Sequence, residues 1–260
     1  MHYEIVSTIA TAAASTGAAG AALTGDSLVV KQGRQDIRII SAWSSKITAG
    51  FDQIVSPSAH DTTRGYRVGV PAAMGNIILP IGCTIPLTAS ETLAITQAGT
   101  AQAGDIDCFS ALVFYQDFPG ISMRTTSPEA VKRRVKKMVT VESSIASVAT
   151  GQYVSEAINA DSDLLKAETD YAVIGMSTRT AVHSLTLAAP DFSNVRIGCP
   201  GNLRPEITNQ WFDLLSRALN KPLIPVFNSG NKGNVLVGFS SNEDAATTLV
   251  TLHLAMLDKD

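Results

Sequence analysis

Most of the chain is a series of short runs rich in valine, isoleucine, threonine and aromatic residues. Glycine, proline, asparagine and aspartate separate the runs at intervals typical of β-sandwiches and barrels. The runs of the first half are SLVVKQG (27–33), IRIISAWSSKI (37–47), YRVGVP (66–71), NIILPIGCTIPL (76–87), ETLAITQAG (91–99) and DCFSALVFYQDF (107–118). Those of the second half are MVTVESSIASV (138–148), DYAVIGMS (170–177), AVHSLTLAAP (181–190), NVRIGCP (194–200), LIPVFNSG (223–230), NVLVGFSS (234–241) and TTLVTLHLAML (247–257). This pattern predicts an all-β chain.

Residues 127–138 carry helical rather than strand periodicity. Ser127 is placed as an N-cap and Pro128 at the first helical position. Val131, Val135 and Met138 have the spacing of one apolar stripe. The rest of this predicted helix is basic: Lys132, Arg133, Arg134, Lys136 and Lys137.

A second predicted helix covers PEITNQWFDLLSRALN (205–220), where Asn220 and Pro222 are placed to end it. Its apolar stripe consists of Ile207, Trp211, Leu214, Leu215, Ala218 and Leu219. Each helix stands alone among strands. We therefore expect the first to connect two β-units and the second to be inserted in the later unit.

One phrase occurs twice, as RVGVP at 67–71 and RIGCP at 196–200, separated by almost half of the 260 residues. An aromatic strand precedes each copy, and an IPL or IPV strand start follows each, at 85–87 and 224–226. This order of features predicts an internal duplication and two β-sandwiches in tandem. The positions fixed in both copies are Arg67, Gly69, Pro71, Arg196, Gly198 and Pro200.

About eight strands in roughly 130 residues is the size of a jelly roll, in which two four-stranded sheets pack face to face. We therefore predict two tandem eight-stranded jelly-roll β-sandwiches. The predicted boundaries are an N-terminal arm at 1–25, a first jelly roll at 26–120, a basic connector helix at 121–139 and a second jelly roll at 140–260.

Four features describe the order of segments along the chain. They are the doubled phrase, the IPL and IPV strand starts, the helix EITNQWFDLLSRALN and the connection SPSAHDTTRG (56–65). In this layout the chain resembles the double jelly-roll major capsid proteins of bacteriophages and of the adenovirus-hexon lineage. The resemblance implies a non-enzymatic subunit of an icosahedral virion, assembled in the host cytoplasm. It implies homotrimers whose six barrels form a pseudo-hexagonal tile, with neighbouring trimers and other virion proteins as partners.

Composition fits a globular chain, since 45% of residues are hydrophobic and 17% are charged. A net charge of −3 gives no overall signal for nucleic acid. The first residues lack the basic region of a signal peptide, so we expect none. Cys83, Cys108 and Cys199 have no metal or disulfide spacing and are predicted to be buried thiols.

Two other classes of protein are compared with the capsid hypothesis. A two-barrel cupin enzyme needs histidines and a glutamate converging on a metal, whereas His2, His60, His183 and His253 are isolated in the sequence. We therefore expect no catalytic, cofactor or metal site. A tandem β-sandwich carbohydrate-binding or virion spike module should show aromatic residues clustered at loop tips, and both tryptophans fall in predicted secondary structure.

The basic helix has two interpretations. It could face packaged nucleic acid or an internal anionic membrane, since each cation near such a surface contributes on the order of 1 kcal/mol. The interpretation that we favour is a solvated connector whose apolar stripe packs on a barrel. Arg67 and Arg196 could likewise bridge neighbouring barrels or, as we favour, close the loop of their own barrel, with Asp61 as a partner for Arg64 or Arg67.

Overall fold

The computed structural model divides into two compact units. Unit 1 comprises Met1–Gly120, Ala149–Tyr153 and Ser241–Asp244, and unit 2 comprises Ile121–Val148, Val154–Ser240 and Ala245–Asp260. The structure describes residues 1–11, 13–14, 17–23, 26–45, 50–55, 65–70, 76–79, 83–99, 106–241 and 244–258.

Unit 1 is built from strands. They are β1 (His2–Thr11), β2 (Ala13–Ala14), β3 (Ala18–Ala19), β4 (Ala21–Ala22), β5 (Arg34–Ser44), β6 (Gly50–Val55), β7 (Tyr66–Val70), β8 (Asn76–Leu79), β9 (Ile85–Leu87), β10 (Ala94–Gly99) and β11 (Ile106–Asp117). One sheet has the order β4-β1-β11-β5-β8, with β9 also paired to β5. The other has the order β2-β10-β6-β7, with β3 also paired to β10.

Unit 2 adds three helices to its strands. Its strands are β12 (Thr125–Thr126), β13 (Val135–Ile145), β14 (Tyr153–Ala157), β15 (Asp170–Thr178), β16 (Ser184–Ala188), β17 (Ile197–Pro200), β18 (Ile224–Asn228), β19 (Leu236–Ser240) and β20 (Thr248–Leu257). Its helices are α1 (Pro128–Arg134), α2 (Pro205–Thr208) and α3 (Trp211–Leu219). Short 3-10 helices cover Ala160–Leu164, Pro190–Phe192 and Ser229–Asn234.

The two sheets of unit 2 have the orders β12-β18-β15-β20-β13 and β14-β19-β16-β17. The eight main strands of each unit can be numbered 1 to 8 in chain order. In unit 1, β2 and β3 together count as strand 2, and β8 and β9 together count as strand 6. With this numbering, both units show the same pairing of strands. One sheet has the order 1-8-3-6 and the other has the order 2-7-4-5. The prediction of a predominantly β chain is confirmed, and the two units share one topology.

The segment predicted as an N-terminal arm contains a full strand of unit 1. β1 pairs antiparallel with β11 from His2↔Tyr115 to Thr11↔Ile106. Seven of its ten residues are buried, and its partner β11 is buried along nearly its whole length. The start of the first unit therefore lies before residue 26. Two further strands of the structure, β6 and β14, are not among the strands predicted from the sequence.

The core of unit 1 lies between its two sheets. Ile39, Phe109, Ala111 and Val113 from one sheet belong to the same apolar cluster as Ile54 from the other. β11 is buried on nearly its whole length, which agrees with its almost continuous apolar sequence.

Helices α2 and α3 lie against β15 in unit 2. A Cβ placed on Gly175 would lie 2.2 Å from the carbonyl oxygen of Thr208, so the absence of a side chain lets the helices approach. The predicted single helix at 205–220 is divided at Asn209 and Gln210, because a turn interrupts its hydrogen bonding. It ends as predicted at Asn220, whose φ of 50° is left-handed.

Candidate functional site

The basic segment begins as predicted and ends as a helix earlier than predicted. The Ser127 side chain accepts a hydrogen bond from the Ala130 amide at 3.2 Å and caps α1. Val135 has φ −66° and ψ 122°, so the backbone becomes extended and continues as β13. Lys136 and Lys137 therefore lie on a strand, and the prediction that they belong to a helix is wrong.

The predicted apolar stripe of this helix does not form. Val131 is buried, but Val135 and Met138 are 38% and 58% exposed. The cause is the change from helix to strand at Val135. Residues spaced three or four apart share one face of a helix, whereas successive side chains of a strand point to opposite faces. Only the first residue of the stripe packs on the unit.

Two of the five cations are held by one residue near the end of the chain. The Arg134 guanidinium donates to the Asp258 carbonyl oxygen at 2.8 Å, and the Asp258 amide donates back to the Arg134 carbonyl oxygen at 2.8 Å. Lys136 Nζ forms an ion pair with the Asp258 carboxylate at 2.7 Å.

The other three, Lys132, Arg133 and Lys137, are exposed. Within the described part of the chain they have no ion pair. They form, with Val135, Lys136 and Met138, a surface that we call the basic edge, because β13 is the last strand of its sheet.

The two copies of the repeated phrase lie in equivalent strands. RVGV belongs to β7 and IGCP forms β17, and each is the strand numbered 5 at the end of the 2-7-4-5 sheet of its unit. Similarly, IPL forms β9 and IPV begins β18, and each pairs with strand 3 of its unit. Gly69 and Gly198 thus occupy corresponding strands.

The contacts of the two arginines differ. The Arg67 guanidinium lies over the ring of Phe51 on the paired strand β6, with Cζ 3.4 Å from the ring centroid. Arg196 is half-buried and directly precedes β17. Pro71, Asp61 and Arg64, which complete these predictions, lie outside the described residues.

A polar cluster that the sequence did not reveal lies around Arg124 in unit 2. Its guanidinium forms a two-pronged pair with the Asp170 carboxylate, with one hydrogen bond of 2.9 Å from Nη1, and lies 3.6 Å from Asp191. The side-chain amide of Asn228 also donates to Asp170 at 2.8 Å. These hydrogen bonds outweigh burial and hold the pKa of Asp170 below its usual value.

No local motif predicts this cluster because its residues are far apart in sequence. It fixes the segment before α1: the Arg124 amide donates to the Asp191 carbonyl oxygen, and the Val226 amide donates to the Arg124 carbonyl oxygen, each at 2.9 Å. Three members of the cluster, Arg124, Asp170 and Asn228, line a cleft of about 520 Å³ together with Arg134, Glu168, Leu257 and Asp258.

Histidine and cysteine are the remaining candidates for chemistry. Burial lowers the pKa of His183 to about 3, and burial, with Lys31 and the terminal amine, lowers that of His2 to about 4. Cys108 and Cys199 are buried as predicted, whereas the prediction is wrong for Cys83, which is exposed.

Burial also raises the pKa of the two buried thiols, so both are protonated at neutral pH. Across the described residues, no group of three or more histidine, cysteine or acidic side chains could hold a metal ion. His60 lies outside them. None of the helices that the structure describes is long and apolar enough to cross a membrane.

No family model and no curated protein matches the chain. Among solved structures, it is similar at 11% identity to the PBSX exported protein XepA, over 98% of this chain and 86% of that one, with a TM-score of 0.30. It is similar at 9% identity to the major capsid protein P2 from bacteriophage PM2, over 99% of both chains, with a TM-score of 0.22. TM-scores this low carry no argument about fold or function.

Proposed function

We propose that each unit is a jelly roll and that the chain is a structural subunit, the major capsid protein, of an icosahedral virus. The observation that supports this proposal best is the strand order 1-8-3-6 and 2-7-4-5, present in both units. In a jelly roll, eight strands form two packed four-stranded sheets by a double Greek-key connection, and capsid domains are one of its main uses.

Two similar units in one chain suit a tiling subunit. A homotrimer with cyclic symmetry contains six such units, so its outline approaches sixfold symmetry while each interface remains specific. Tiles of this outline can pack side by side into a shell. The subunit would then be located in the virion, with other copies and other virion proteins as its partners.

A carbohydrate-binding or spike module is the alternative for a tandem β-sandwich. Such a module binds sugars through exposed aromatic side chains. Trp43 and Trp211 are both fully buried, so neither can stack on a ligand. This burial favours the capsid proposal over the alternative.

Negative-stain electron microscopy of the purified full-length protein tests the proposal. We expect particles of hexagonal outline, and sheets or shells of them when the protein is concentrated. Single particles of one subunit at every concentration and ionic strength would contradict the proposal.

A further inference from the structure

The first half of β13 is exposed on both faces. Val135, Lys136, Lys137, Met138 and Thr140 are all exposed, and the strand enters the core only at Val141. A strand in a sandwich ordinarily buries every second side chain. Here residues 135–140 lack the cover that buries alternate side chains in the second half of the strand.

The outer edge of β13 receives side-chain hydrogen bonds in its second half, and the 3-10 helix Ala160–Leu164 also lies against the strand. Asn159 accepts a hydrogen bond from the Ser144 amide and donates one to the Ser144 carbonyl oxygen, each at 2.9 Å. Glu156 similarly accepts from the Ala146 amide at 3.0 Å. Within the described residues, the only strand paired with residues 136–141 is β20, so backbone groups on the opposite side face outward.

Charge decides what can pair with this edge. A second copy of the same strand would bring a second set of the same cations to this edge, and like charges close together are unfavourable. The Asp258 carboxylate neutralises Lys136, its carbonyl oxygen accepts a hydrogen bond from Arg134, and Glu129 lies in the first turn of α1. An acidic segment would instead meet Lys137, with Lys132 and Arg133 exposed on the helix that directly precedes the strand.

We propose that the basic edge binds an extended acidic segment of a partner protein as an added β-strand. Main-chain hydrogen bonds to Lys136–Val141 would provide affinity, and the exposed Val135 and Met138 would contact alternate side chains. Residues 127–140 contain no aromatic residue on which a base could stack, so a protein segment fits better than single-stranded nucleic acid. The inference rests on the proposed function only in expecting that partner in the virion.

The test measures binding of fluorescent ten-residue peptides to the full-length protein by anisotropy. We expect a peptide of alternating glutamate and valine to bind, and the lysine–valine peptide to bind at least tenfold more weakly. N-methylation of alternate residues in the acidic peptide blocks strand pairing without changing its charge, so its binding should also fall at least tenfold.

The variant Arg133→Gln/Lys137→Gln should bind the acidic peptide at least fivefold more weakly. The control Lys166→Gln/Arg204→Gln removes the same charge from exposed positions outside the basic edge and should bind normally. Equal binding of the N-methylated peptide would overturn the proposal. Tighter binding of a ten-nucleotide oligothymidine or of phosphatidylglycerol vesicles would also overturn it, in favour of nucleic acid or lipid. Assembly of the protein is scored separately, so either proposal can fail alone.

Discussion

Gly175 is the residue whose replacement has the clearest structural consequence. A methyl group there would meet backbone atoms of Thr208 and Asn209 at 2.2–2.6 Å, and backbone cannot rotate away as a side chain can. We expect Gly175→Ala to lower the free energy of unfolding by about 2–3 kcal/mol in urea denaturation. Gly233→Ala is the matched control, since a Cβ there would have no atom within 4 Å apart from those of its chain neighbours. Equal stability of both variants would refute this packing.

His183 should make stability depend on pH. Its pKa is about 3 in the folded protein against an ordinary 6.5, because burial disfavours the charged ring. As the pH falls, His183 therefore binds a proton at a higher pH in the unfolded chain than in the folded protein. The stability that is present above pH 6.5 is lost as the pH falls towards 3. The loss from this residue alone should reach about 3 kcal/mol by pH 4.

Urea denaturation at several pH values measures that loss. His183→Gln should remove this part of the slope whatever its effect on stability at neutral pH. His253→Gln should leave most of it, because His253 is only half-buried and hydrogen-bonded to Ser177 at 2.8 Å. An unchanged slope in His183→Gln would show that His183 is not the group responsible.

The burial of single residues could be predicted only where the sequence showed their element. Cys199 lies in a repeated strand opposite an apolar run, and its burial was predicted correctly. Cys83 lies between proline- and glycine-rich positions, where composition does not distinguish a strand from a connection, and it is exposed. The Arg124 cluster joins residues distant in sequence, so no spacing could reveal it.

At the scale of elements, the Arg124 cluster should hold β12 on β18. Arg124→Gln removes the pair with Asp170, which is partly exposed, so we expect a loss of about 1 kcal/mol after solvent screening. Hydrogen exchange at the Val226 amide, which donates to Arg124, should become faster.

The ion pair of Arg217 with Asp213 within α3 provides the control. Arg217→Gln should cost only a few tenths of a kcal/mol, as is usual for such pairs on a helix surface. Asp170 also predicts a pH effect: since its folded pKa lies below 3.8, its contribution to stability is present above that pH and declines below it. If exchange at Val226 were identical in Arg124→Gln and the parent protein, the cluster would not anchor β12.

The ends of elements were harder to predict than their type. The spacing of Val131, Val135 and Met138 fits one continuous helix, but the same residues also fit a short helix followed by a strand. Pairing of β13 with β20 over ten residues decides for the strand, and that pairing is long-range. The whole of β1 was missed for a similar reason, because its assignment as a strand depends on long-range pairing with β11.

At the scale of the whole molecule, the repeated phrase was the most informative feature of the sequence. RVGV and IGCP fall in corresponding strands, and so do IPL and IPV. The shared order of these motifs along the chain thus indicated that the two units have the same topology, although few residues are identical between them. What the sequence could not provide is the pairing order of the strands, since that order is set by contacts between distant segments.

Light scattering coupled to size-exclusion chromatography measures how many subunits associate. We expect a particle of three subunits, about 82 kDa for chains of 27.3 kDa each, over a wide range of protein concentration. A stable monomer of 27.3 kDa under all conditions would contradict this expectation.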